Sequence, residues 1–562
     1  MTLIFLTTIH VVLFYLPGFG TAFLLTSPNE KLSRCEFYGF VLVGACFFGY
    51  LAFWIYFWNT GAGTLYSIFV FLGSAILVLK RGKVYLNDFS LKFWHPVLAS
   101  VLLAFFYLAL GFLYGGLEHP LATARVRFSH PLPVDNELPL LFAGIVSDKN
   151  SLRPYIADWL TSDRPPLQTG ITLLQFPVFG DLQKLQYQIL GVVLQTSIGI
   201  GVWLLFSDRQ FSEKDRVLIF LFLVFSNTLL VHSFYVWPKI LPASLLMVGL
   251  ALLQDARNNP DSSLRTIKGV FIGGAFAFAM LSHGGSVFAI LPIGLVLLAA
   301  RRLPPTRILL ASAIAAVFLY LPWTGYQKFI DPPGNRLVKM HIGGSREIDD
   351  RSTLEVVIDS YSKLTFSQVL AKKAANFHYL FRSIDNLMRD FSSGEWATGI
   401  IRLRKEAFFR LSYALFIPAL STLVIPAKLV QQKPWSFSGA EMLVLIGFLG
   451  LMFWLLLMFG PPATVPSIHQ GSLFIPIILT TGPFAFARKN MSWFAGLLLG
   501  LQAATFLLWI PFLPTETGNL IERSLLKNGF QPGFAGLALL SLIGLVRIRP
   551  NTRNRRKIKR SG

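Results

Sequence analysis

Runs of about twenty apolar residues recur along this chain, long enough to cross the hydrocarbon core of a bilayer as helices. In 562 residues, 54% are hydrophobic and only 14% are charged, against about 25% charged in a soluble globular chain. The mean hydropathy of +0.58 points the same way. The expected fold class is an all-α polytopic membrane protein. By length, about fifteen spans fall near 3–25, 37–57, 62–80, 94–115, 183–206, 216–235, 238–254, 267–283, 285–300, 307–324, 408–427, 438–459, 470–487, 491–512 and 532–547. The first span, and the division at His283-Gly284-Gly285, set the range of 13–15.

Charge orients these spans. Lys31 and Arg34, Lys80 to Lys92, Arg209 to Arg216, Arg257 to Lys268, Arg301 to Arg307, Lys428 and Lys433, Arg488 and Lys489, and the tail RIRPNTRNRRKIKR all fall on one side of the alternation. The turns near Asn59, His283 and Pro462 carry no Lys or Arg. Basic loops mark the cytoplasmic side, so the N-terminus is expected outside and the C-terminus in the cytoplasm, in an inner (plasma) membrane. Segments 116–182, 325–407 and 513–531 then face outside. The organisation reads as an N-terminal three-helix segment (1–93), a membrane core with the first outside loop (94–324), an outside juxtamembrane loop with surface helices (325–407), and C-terminal helices with a basic tail (408–562). Within the first loop, 166–182 is too short and too interrupted by Pro and Gly to span, and is expected at the interface as a short helix.

The net charge of +22 is that of basic loops and an anionic-leaflet anchor; no basic groove with interleaved aromatics suggests nucleic acid. Cys35 and Cys46 alone support neither a disulfide framework nor a cysteine zinc site. There is no phosphate-binding loop, HExxH, GxSxG or dinucleotide fingerprint. Few ionisable residues fall within the spans, which weakens a transporter reading.

Acids instead concentrate in the stretch Pro131–Leu167, which carries Asp135, Glu137, Asp148, Asp158 and Asp163 in a chain with 28 Asp+Glu against 50 Lys+Arg. An i, i+2 pair such as Asp135 and Glu137 aims at one centre from a turn or extended stretch, but at different faces from a helix. It can serve as a base, bind a metal or sit solvated in the loop. The apolar residues Leu138 to Val146 would hold it near the membrane surface, where partial burial raises a carboxylate toward a base's working range. Pro165-Pro166 biases the residue before it to an extended form. Arg164 is thereby suited to bidentate phosphate recognition, or equally to a local pair with Asp163 or Asp158. His232, His283 and His469 fall at outer ends of spans. They offer a divalent metal a place without a motif that indicates one, and no cofactor is implied. Gly471 and Ser472 permit close backbone approach after His469. Lys239, beside Trp237, either snorkels or adds charge to an anion site.

Three elements together resemble the GT-C superfamily of membrane glycosyltransferases, in the branch of protein O-mannosyltransferases and the lipid A aminoarabinose transferase. They are Asp135-Asn136-Glu137, Ala157-Asp158-Trp159 and Asp163-Arg164-Pro165-Pro166-Leu167. The family's loop begins Asp-Glu and its later turn often reads Glu-Lys-Pro-Pro-Leu; here Asn136 separates the acids and Arg replaces Lys. PSIHQGSLFIP resembles the family's late outside loop. The resemblance implies a sugar transferred from a polyprenyl phosphate carrier to a lipid, glycan or protein acceptor, with inversion. Asp135 would be the catalytic carboxylate with Glu137 its rival. Asp158, Asp163, Arg164, Lys239, His283 and His469 would bind substrate. A multi-pass transporter or flippase of a lipid-linked or anionic substrate is the alternative.

Overall fold

A computed structural model describes residues 1–26, 32–86, 91–129, 131–153, 155–156, 159–180, 183–207, 211–259, 264–424, 439–464, 471–510 and 529–548. Among them there is no strand, only an isolated bridge between Ile156 and Trp159. The apolar runs form helices because a helix satisfies its backbone polar groups within the segment. In chain order these are α1 (Thr2–Leu25), α2 (Arg34–Trp58), α3 (Thr60–Leu86), α4 (His95–Gly111), α5 (Pro120–Val126), α6 (Leu138–Asp148), α7 (Leu167–Phe179), α8 (Lys184–Thr196), α9 (Ile198–Leu205), α10 (Glu213–Val224), α11 (Asn227–Phe234), α12 (Ile240–Asn258), α13 (Arg265–Ser282), α14 (Val287–Ala299) and α15 (Thr306–Gly325). Ten segments of the described residues are long and apolar enough to cross a membrane, and α10 with α11, bent by 66°, makes an eleventh. The protein is an all-α, multi-pass membrane protein.

The four remaining expected spans do not form single helices long enough to cross a membrane. The runs at 285–300, 470–487 and 532–547 become α14 and the helices Phe474–Asn490 and Pro532–Arg547, of 13, 17 and 16 residues. The run at 408–427 is not one helix. It breaks into Leu411–Ala414, Phe416–Leu420 and a turn at Ser421–Leu423, with Pro418 inside it. The division at His283 does occur: α13 ends at Ser282, and a 3-10 turn, Gly284–Ser286, starts α14.

One end of the bundle is tied by ion pairs. Lys268 lies 2.6 Å from Glu36 and 2.9 Å from Asp255; Arg34 meets Glu213 at 2.9 Å and Arg488 meets Asp215 at 2.8 Å. Glu36 and Asp215 also close capping boxes with Ser33 and Ser212, satisfying N–H groups that a helix start leaves unpaired. Arg34, Lys268 and Arg488, expected to share a side, therefore lie at one end of the bundle. The acidic loop sits at the other end: Lys149 Nζ donates to the carbonyls of Tyr56 and Phe57, at the end of α2 away from Arg34.

Segment 166–182 departs from expectation. Its helix, α7, does not lie on a surface; Leu167 to Phe176 are buried throughout. It crosses α2 where Gly170 faces Gly49, so closely that a Cβ on Gly170 would stand 2.2 Å from the Gly49 carbonyl oxygen. Small residues permit such contacts between helices in membranes. Further along α7, Gln175 Oε1 lies 2.7 Å from His10 Nδ1 of α1. Glycine and glutamine thus let a helix too short to span insert into the protein.

Segment 325–407 carries mostly exposed helices: Thr353–Ser362, Phe366–Leu380, Asp385–Ser392 and Trp396–Phe409, the last running two residues beyond it. The second is anchored by Asn376, whose buried Nδ2 donates to the carbonyls of Leu455 and Met458 at the end of helix Gly439–Leu457.

Candidate functional site

Asp135 and Glu137 lie on a 3-10 turn, Val134–Glu137, not on an extended stretch. Asn136 points inward and is fully buried, its Nδ2 donating to the Leu121 carbonyl while its own carbonyl accepts from Tyr187 Oη. With Asn136 fixed, the flanking acids separate. Asp135 Oδ2 lies 3.4 Å from Arg164 Nη2, both side chains nearly buried. Glu137 meets Lys184 at 3.8 Å in a more exposed setting. The two carboxylates do not share a centre.

Arg164 has the extended backbone expected before proline, φ −120° and ψ 105°. Its guanidinium stacks 4.1 Å from the centre of the Trp159 ring and 6.0 Å from that of Trp237. It pairs with Asp135 rather than with Asp163. Its Nε and Nη2 are buried without a hydrogen-bond partner among the described residues, so donors remain available. Asp163 turns the other way: Oδ2 accepts the Leu160 N–H and lies 3.6 Å from Arg336 Nε. Burial raises its pKa, against the opposing pull of the Leu160 N–H, Arg336 and Arg164. Its place is the turn that carries Arg164.

That turn is braced by the later segment 325–407. Asp331 accepts from the Thr161 hydroxyl at 2.6 Å, the Ser162 N–H at 2.9 Å and Arg153 Nε at 2.7 Å. Burial would raise the Asp331 carboxyl, but Thr161, Ser162 and Arg153 together hold it below the usual range. No local signal in the sequence connects Asp331 to Thr161.

Lys239 caps the start of α12, 3% exposed, its Nζ 4.0 Å from the Trp237 ring centre and 2.5 Å from His283 Nε2. Burial and then Arg164 push its ammonium well below the lysine range, with Asp135 pulling upward. His283 is pushed down by burial, then by Lys239, Arg164 and His341. Arg164, Asp135, Lys239 and His283 therefore form one electrostatic cluster, with Tyr235 beside it donating to the Pro133 carbonyl at 2.6 Å. His232 lies within reach of Lys239's field but packs 4.8 Å from Phe408 as an aromatic neighbour. Asp158 and His469 lie outside the described residues. Among those described, no group of three or more His, Cys, Asp or Glu is placed to hold a metal.

His341 also belongs to the cluster and was not singled out from sequence. Burial, and then Lys239, pull it down to about 4; its Nδ1 lies 3.1 Å from Thr464 Oγ1. The signal was present: Gly343 and Gly344 follow it, as Gly471 follows His469, and the same argument of close backbone approach applies.

Two cavities lie away from this cluster. One, of about 150 Å³, sits at the opposite end and is lined by Cys35, Asp255, Arg257 and Arg302 among others. The other, of about 190 Å³, is largely apolar and lies between helix Ser492–Phe506 and the surface helices Asp385–Ser392 and Trp396–Phe409. No protein family, curated protein or solved structure matches the chain.

Proposed function

We propose that the protein is a membrane glycosyltransferase that moves a sugar from a polyprenyl phosphate-linked donor to a hydroxyl of a lipid, glycan or protein acceptor. The reaction is placed at the outer face of a cytoplasmic membrane, with the N-terminus outside and the C-terminus cytoplasmic. One observation carries the reading: among the described residues, the carboxylate of Asp135 stands beside Arg164 and the buried Lys239 at one end of the bundle. The donor phosphate takes the Nε of Arg164, which has no hydrogen-bond partner among the described residues, and replaces Asp135 at Nη2. Fixed donors aimed at a leaving phosphate stabilise the charge that develops there. When the phosphate engages Arg164, Asp135 is released from its ion pair to take the acceptor proton. Direct displacement then inverts the anomeric centre with one base and no covalent intermediate. The apolar cavity beneath the surface helices offers surface to a lipid tail.

The test is mass spectrometry of envelope glycans with and without the protein, followed by transfer from a polyprenyl phosphate-linked sugar in proteoliposomes containing the full chain. An unchanged glycan profile and no transfer from any such donor would reject the reading. A transporter or flippase is the second reading, favoured by the 66° break between α10 and α11 and the buried, non-spanning α7; interrupted helices line many transport pathways. It requires vesicle translocation of a lipid-linked or anionic substrate without sugar transfer.

A further inference from the structure

We propose that Lys239 is uncharged in the unliganded protein and takes up one proton when a phosphate group binds beside Arg164, so that anion binding at this face is coupled to protonation. The proposal rests on reading the Asp135–Arg164–Lys239 cluster as an anion site.

Hydrogen-bond directions carry the argument. His283 Nδ1 accepts the Gly285 N–H at 3.1 Å, so Nδ1 holds no proton. A neutral imidazole with a bare Nδ1 has its hydrogen on Nε2, and Nε2 is the atom 2.5 Å from Lys239 Nζ. An ammonium has three N–H donors and no acceptor, so it would set donor against donor. A neutral amine has a lone pair and accepts. A charged Lys239 in the same contact would need Nε2 bare and the ring proton on Nδ1, facing the Gly285 N–H. The ammonium and the His283–Gly285 bond therefore exclude each other while Nζ stays on the ring.

Charge reaches the same result independently. Among the described residues, the titratable groups facing Lys239 are Arg164 and Asp135 from the first long loop, His232 of α11, His283 after α13, and His341. Asp135 is the one acid among these described groups, and it is paired with Arg164. Among the described residues no carboxylate remains for Lys239, which is 3% exposed. A buried ammonium without a counter-ion loses its hydration with nothing to replace it, and such groups neutralise instead. The downward shifts of Lys239 and His283 agree.

A phosphate supplies the missing negative charge. The amine lone pair takes one proton from solvent, Nζ turns from the ring, and its N–H donates to a phosphate oxygen. His283 keeps its bond to Gly285, and nothing is oxidised or reduced.

The test is calorimetric titration of the detergent-solubilised full chain with farnesyl phosphate, and separately with inorganic phosphate, at pH 8 in Tris and in HEPES. These buffers differ in ionisation heat, so the difference in binding heat counts protons. About one proton taken up per farnesyl phosphate bound is expected, since an ordinary lysine titrates near 10.4. Inorganic phosphate binding with the same uptake shows that the headgroup alone suffices; uptake confined to farnesyl phosphate assigns the site to a lipid headgroup. K239R, which stays charged, should bind with uptake near zero, whereas K239M should bind at least 10-fold more weakly. If K239M does not fold, the wild type and K239R decide the matter. Wild-type binding without proton exchange, or uptake that persists in K239R, overturns the coupling and leaves the proposed function standing. Binding of neither probe overturns both.

Discussion

Replacing Asp135 by Asn separates the two candidate carboxylates. Asn keeps the side-chain shape and removes the charge and basicity. A positioned general base contributes about 10²–10⁴ in rate, or about 3–5 kcal/mol of barrier. The cost to folding is smaller. The Asp135–Arg164 pair is 3.4 Å apart with side chains 13% and 11% exposed. Its loss should cost about 1–2 kcal/mol, between the values for exposed and fully buried pairs, and Trp159 still stacks on Arg164. Glu137 pairs at 3.8 Å with a Lys184 side chain that is 68% exposed, a surface contact worth about 0–1 kcal/mol. D135N should therefore be a folded protein with transfer reduced by at least 100-fold, while E137Q stays within about 3-fold of wild type. The assay is initial transfer rate in proteoliposomes, normalised to the monodisperse fraction on size exclusion. If D135N kept more than a tenth of the activity, or if E137Q were the more damaging change, the assignment of the base would fail.

Three further changes test the architecture around the cluster. G170V places side-chain atoms against the Gly49 carbonyl and Phe53; overpacking of about 1–3 kcal/mol should lower the thermal midpoint in detergent and, because α7 starts just after Arg164, weaken phosphate binding as well. K268M leaves Glu36 and Asp255 buried without their shared cation and should cost about 3–5 kcal/mol in denaturant titrations, part of which E36Q should restore in the double variant. Asp331 has a folded pKa below its ordinary value of 3.8, so its contribution is present above that value and is lost as pH falls through the folded one. D331N should thus be less stable than wild type at pH 7, and the two thermal midpoints should converge as pH falls below 3.8; a gap independent of pH would contradict that linkage.

Much of the fold was legible locally. The long apolar runs imply helices, and the alternation of Lys and Arg correctly groups Arg34, Lys268 and Arg488 at one end, away from the acidic loop. The prolines after Arg164 forecast its extended backbone. Each of these follows from bonded geometry or from the cost of charge in hydrocarbon, which act over a few residues or along a single span.

Partner choice was not legible in this way. Asp163 adjoins Arg164 in sequence yet pairs with Arg336, while Asp135 reaches Arg164 because Asn136 is pinned to Leu121 and Tyr187. Residues 166–182 read as interfacial because their length forbids a span, but the Gly49–Gly170 contact admits them to the interior. His341 joins Lys239 and His283 from a distant segment. The sequence by itself determined a multi-pass helical membrane protein with an acidic loop at one end. Tertiary structure alone decided which acid meets Arg164, and that Lys239 is buried against a histidine. Helix formation and the side on which charges gather depend on local composition, whereas an ion pair forms wherever long-range packing leaves two groups within a few ångströms and away from water.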